Sequence, residues 1–115
     1  MHLENLRDFC LSIKGVTEDV KWGSDLCFLV GGKMFCVTNL DGEPRISFKV
    51  PDTAFDELIS TGEIIPAPYM ARNKWVQVQC WNRFTDAAWE TYIQQSYGLV
   101  KAKLTKKQQR EIDNA

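Results

Sequence analysis

Leu26-Cys27-Phe28-Leu29-Val30-Gly31-Gly32-Lys33-Met34-Phe35-Cys36-Val37-Thr38 is the stretch that decides how this chain folds. Two apolar, β-branched and aromatic runs flank a Gly31-Gly32 pair, which is the pattern of a two-residue β-hairpin. With that turn, Val30 faces Lys33, Phe28 faces Phe35 and Cys27 faces Cys36. The glycines do not belong to a phosphate-binding loop. That motif needs G-x-x-x-x-G-K-[ST] between a strand and a helix, whereas Cys27 and Met34 stand at its first and last positions.

Downstream, a turn at Asp41-Gly42 leads to a third strand, Arg45 to Val50. Ile46, Phe48 and Val50 alternate with Arg45, Ser47 and Lys49, so one face is apolar and the other polar. Pro51 ends the strand. Asp52 reads as the N-cap of a helix that buries Phe55, Leu58 and Ile59 and stops at Gly62. Ile64-Ile65-Pro66-Ala67-Pro68 is at best a short edge strand, because proline cannot donate to a ladder. Trp75 to Trp81 reads as a further strand. Thr85 or Asp86 then caps a long helix whose apolar stripe is Trp89, Tyr92, Ile93, Ser96, Val100 and Leu104. Upstream, Leu3, Leu6, Cys10 and Ile13 recur at helical spacing until Gly15. Residues 16–25, with Trp22-Gly23 inside them, read as loop.

The expected architecture is α+β: two layers, an antiparallel sheet of four to five strands, helices on one face, order α-βββ-α-β(β)-α. Phe28, Phe35, Phe48, Val76, Val78, Trp89, Ile93 and Val100 are expected to share one core. Residues 1–104 make one domain, and 105–115 form a polar, frayed, flexible tail.

Composition narrows the function classes. Among the 115 residues, 44% are hydrophobic and 25% charged, as in ordinary globular proteins. No apolar run approaches membrane-spanning length, and the acidic N-terminus does not read as a signal peptide, so a cytoplasmic location is expected. Residues 1–65 carry a net charge of −5, while 66–110 carry +6. The four cysteines form no C-x-x-C pair and His2 is the sole histidine, so no metal site is expected. All four thiols are expected to be free and buried or half-buried, with Cys80 on the helix side of its strand. A Cys27–Cys36 bridge across the hairpin would be the one redox alternative.

No nucleophile–base pair stands out, because the only imidazole lies at the second residue. Paired carboxylates such as Asp56-Glu57 sit where a helix start accounts for them. The expectation is therefore a non-enzymatic module without a cofactor. Interest falls on the outer sheet face: Arg45, Ser47, Lys49, Trp75, Gln77, Gln79 and Trp81 alternate away from the core. Cations, amides and aromatics suit phosphate and base contacts or a protein hot spot. Alternatively, the tryptophans cover that face beneath a loop or in a dimer.

Several segments together resemble the bacterial MmcQ/YjbR family of small proteins. They are residues 15–23 (GVTEDVKWG), 27–36 (CFLVGGKMFC), Ser47-Phe48-Lys49-Val50, Asn73-Lys74-Trp75-Val76 and Ser96-Tyr97-Gly98-Leu99-Val100. The resemblance implies a two-layer α/β fold with an antiparallel sheet, described as a double-wing motif, and a predicted DNA-binding role. It brings no catalytic residues. Arg45, Lys49, Arg72, Asn73, Lys74 and Trp75 become the candidate nucleic-acid contact residues. The alternative is a protein- or peptide-binding domain using the same face, and a third class is a small-ligand binder or enzyme of unknown chemistry. A continuous basic surface would favour nucleic acid, an apolar groove a peptide, and a deep enclosed pocket a small ligand.

Overall fold

The computed structural model describes residues 1–115. Helix α1 (Leu3–Ser12) is followed by strands β1 (Val16–Lys21), β2 (Asp25–Val30), β3 (Lys33–Asn39) and β4 (Ile46–Lys49). Then come α2 (Asp52–Ile59), β5 (Ile64–Pro66), β6 (Trp75–Val78), α3 (Asp86–Lys101) and α4 (Lys106–Asp113). The strands form one antiparallel sheet in the order β1-β2-β3-β4-β6-β5. The architecture is the expected α+β one, with six strands rather than four or five.

The extra strand is β1, which the sequence presents as loop. It lies at the sheet edge, and only Val16 and Val20 are apolar on its helix-side face. Glu18 shares that face and pairs with Arg7 of α1, with Nη2–Oε2 at 2.6 Å. An edge strand held by an ion pair carries little of the alternation that marks a half-buried strand.

Gly31 and Gly32 have φ of 58° and 80°, the two positive values of a type I′ turn. Val30 pairs with Lys33 as expected. The ladder then shifts: Leu29 pairs with Met34, but Phe28 pairs with Cys36 and Cys27 with Val37. Phe35 is the extra residue of a β-bulge, so the expected Phe28–Phe35 and Cys27–Cys36 pairs do not form. The bulge turns Phe35 into the core, where all eight expected core residues meet. The Phe35 carbonyl is reached from the helix layer. The buried Ser96 hydroxyl of α3 donates to that carbonyl at 2.6 Å and accepts from the Lys49 N–H at 2.9 Å. One helix hydroxyl thus satisfies two backbone groups where β3 and β4 part.

The other differences lie toward the C-terminus. Strand β6 stops at Val78, so Trp81 leaves the sheet and packs on Trp89, whose Nε1 donates to the Trp81 carbonyl. Cys80 is exposed, not in the core. The segment expected to fray forms α4, started by a Thr105–Gln108 capping box and anchored through Ile112, which is buried in the core.

Candidate binding groove on the outer sheet face

Strand pairing arranges the face away from the helices into cross-strand rows. Directly opposed residues point the same way, about 5 Å apart. One row reads Lys21, Asp25, Asn39, Arg45, with the Arg45 N–H donating to Asn39 Oδ1 at 2.8 Å. The next reads Asp19, Cys27, Val37, Ser47, Gln77, Ile65. Beyond it, Leu29 and Met34 lie in β2 and β3, and Lys49 and Trp75 in β4 and β6. A polar row therefore borders an apolar and neutral floor.

The loop between β5 and β6 folds across this floor. Cys27, Leu29, Val37, Ala67 and Trp75 form a second, smaller core beneath it, with Met34 and Met70 against its flank. Backbone bonds within residues 67–75 close the loop on itself: Met70 N–H to Ala67 O, Lys74 N–H to Ala71 O, and Ala67 N–H to Trp75 O. The loop stops short of the polar row and leaves a groove of about 620 Å³, within the ~300–1,000 Å³ usual for ligand sites. Met34, Val37 and Met70 give the groove its apolar lining, and Asp25, Arg45 and Gln77 are among its polar groups.

Two aromatics stand at its mouth in strained backbone. Trp22, in the β1–β2 turn, has φ 53° and is 69% exposed. Tyr69 has φ 67° and is fully exposed. Pro68 and Tyr69 are the central residues of a turn closed from Ala67 O to Met70 N–H. A positive φ after a proline is the second central position of a type II turn, where glycine is favoured. A bulky side chain there is an outlier. Strain of this kind, at a concave site and with little packing in return, points to function.

The candidate residues for nucleic-acid contact are divided by the fold. Arg45 lines the groove, is exposed and makes no ion pair. Lys49 is half-buried and its Nζ donates to the Asn73 carbonyl at 2.7 Å. Arg72 and Asn73 are exposed in the single 3₁₀ turn before β6. Lys74 points the other way, its ammonium 4.9 Å from the centre of the Phe55 ring in α2. Trp75 does face outward, but the loop leaves it 6% exposed, so it offers no stacking face. Trp81 belongs to the helix side. Sequence parity turned Arg45, Ser47 and Gln77 to the outer face, where the groove lies; it gave no role to Tyr69, Met70, Met34, Val37, Asn39 or Asp25, and left Trp22 as loop. A Pro-Tyr pair inside a turn was the available signal for Tyr69.

Cys27 and Cys36 point to opposite faces, which excludes a bridge between them. All four cysteines are free thiols. Burial pushes the Cys27 thiol up, and a hydrogen bond with Cys10 together with burial pushes Cys36 well up. No cluster of three or more His, Cys, Asp or Glu side chains is placed to hold a metal ion, and no helix is long and apolar enough to cross a membrane.

Comparison with known proteins gives the fold a family. A family model described as YjbR matches residues 11–99. The crystal structure of Deinococcus radiodurans protein DR2400, with the family-model domain DUF419, superposes with a TM-score of 0.86 at 24% identity; the match covers 96% of this chain and 86% of that one. A Pseudomonas syringae protein superposes with a TM-score of 0.73 at 16% identity, covering 86% of this chain and 98% of that one. At these identities the two structures speak for the fold. No curated protein matches the chain.

Proposed function

The chain belongs to the YjbR family, and from that premise we propose that it is a non-catalytic binding module whose working surface is the groove on the outer sheet face, with a polypeptide segment as its partner. The observation that carries this reading is the pair of exposed, strained aromatics flanking an apolar floor. Tryptophan and tyrosine concentrate at protein hot spots, where they offer large contact area at little cost in side-chain freedom. The border of the groove has mixed sign, with Lys21 opposite Asp25 and Arg45 beyond Asn39. Mixed charge suits a chain carrying both signs and suits a polyanion poorly. Ser47 has no imidazole beside it in the groove, since His2, the sole histidine, caps α1.

A displayed random-peptide library panned on wild type and on a Trp22→Ala/Tyr69→Ala variant tests the reading. Wild type should enrich related sequences and the variant should not. Equal enrichment by both, or none by either, would overturn it.

One observation favours a second reading, DNA binding. Arg45, Lys49 and Arg72 lie on or beside the outer face. DNA held by phosphate contacts should dissociate as salt rises, with the log–log slope flattening by about 0.9 per duplex contact removed. Salt-sensitive binding that weakens in Arg45→Ala/Arg72→Ala would support this reading. Identical titrations for wild type and variant would dismiss it.

A further inference from the structure

We propose that the groove reads a specific spacing in its partner: a large apolar or aromatic side chain and a carboxylate two residues apart in an extended segment. The inference rests on the groove being a polypeptide site and adds which polypeptide.

Its first support is register. The polar row holding Asn39 and Arg45 and the neutral row holding Val37 and Ser47 lie two residues apart along β3 and β4. Two residues of strand span roughly 6.6 Å. An extended peptide repeats its same-side side chains at the same interval, while adjacent residues point to opposite sides. A partner running along the strands can therefore set one side chain over Val37, Met34 and Met70 and its second neighbour at the polar row. Adjacent residues cannot do both.

Charge is the second support. Asp25 stands opposite Lys21 on the same face, so a cation lies across the strand pair from it, although the two form no ion pair. Arg45 stands opposite Asn39, whose side chain is already used: its Nδ2 donates to the Asp41 and Glu43 carbonyls and its Oδ1 accepts from the Arg45 N–H. The Arg45 guanidinium forms no ion pair and lines the groove. A carboxylate is the group that a free guanidinium at that row can bind with two hydrogen bonds.

The third support is the mouth. Trp22 and Tyr69 flank the floor, and both keep most of their surface in solvent. An aromatic side chain lying against either ring gains ring–ring contact in addition to area burial.

The test uses the isotope-labelled whole protein and three blocked peptides, followed by amide shifts of groove residues. One peptide has phenylalanine and aspartate two apart, one has them adjacent, and one has phenylalanine and lysine two apart. The first should bind about tenfold more tightly than either other, the effect of one charge-assisted hydrogen bond. In Arg45→Glu the lysine peptide should become the preferred one. Arg45 is exposed, so this variant keeps its fold. Binding without a preference for spacing, or a charge preference unchanged in Arg45→Glu, would overturn the inference and leave the polypeptide reading standing. If no peptide shifts the groove amides while a DNA oligonucleotide does, both readings fall.

Discussion

Tyr69 occupies a turn position that favours glycine and gains no packing for doing so, being fully exposed at φ 67°. A non-glycine residue held in the left-handed region costs on the order of 1–3 kcal/mol. Tyr69→Gly should therefore stabilise the fold by about 1 kcal/mol while removing one side of the groove mouth. Urea unfolding would measure the first effect and peptide titration the second. Unchanged or lower stability would show that the ring packs after all or that the turn is relaxed, and the strain argument for function would go. Trp22 carries similar strain but keeps part of its surface covered, so its replacement gives a less clean reading. Part of this site was legible in the sequence. The alternation of β4 turned Arg45 and Ser47 outward correctly. That pattern says which way a side chain points, however, and not what lies over it. Trp75 faces the expected side and is still buried, because a loop without any strand signal folds back across it.

Helix α4 shows how tertiary contacts decide an element that local pattern leaves open. Its polar sequence hides one apolar anchor, Ile112, which settles on Gly15; a Cβ on that glycine would lie 2.9 Å from Ile112 Cγ2. The Tyr97 hydroxyl donates to the Lys14 carbonyl at 2.6 Å, Lys14 Nζ donates to the Asp113 carbonyl, and Lys101 pairs with Asp113 at 2.5 Å. A helix held by one buried side chain and two lysines has too weak an apolar stripe to stand out. The polar edge strand β1 escaped notice for a related reason. The hairpin, β4, α1 and α3 were legible because each carries a full apolar face. The hairpin glycines also test the α3–α4 connection. A Cβ on Gly31 would come within 2.6 Å of Leu104 Cδ1, whereas one on Gly32 would meet nothing within 4 Å. Both have positive φ, so both alanine variants pay the backbone term, ~1 kcal/mol. Gly31→Ala should cost about 1 kcal/mol more than Gly32→Ala, because overpacking adds to it. Equal losses in chemical denaturation would show that Leu104 moves aside freely.

The sheet separates two cores of very different size, 21 buried residues on the helix side and 5 beneath the β5–β6 loop. Stability is not uniform in such a molecule. A small cluster covered by one loop should open at lower free energy than the main core, as ligand-binding elements commonly do. Three buried thiols report on this: Cys10 and Cys36 in the large core, Cys27 in the small one. The exposed Cys80 serves as an internal control that reacts at once. In the folded state all three buried thiols are protected. Once a region opens its thiol behaves ordinarily, so the alkylation rate follows the opening equilibrium where closing is faster than reaction. In sub-denaturing urea Cys27 should therefore be alkylated faster than Cys10 and Cys36, as read by mass spectrometry of quenched samples. A peptide seated in the groove should slow Cys27 alone, because it stabilises only the closed form of the outer face. Equal rates for the three thiols would mean that both cores open as one unit. The groove would then be a rigid, preformed site, and its strained aromatics would have to bind without any movement of the loop.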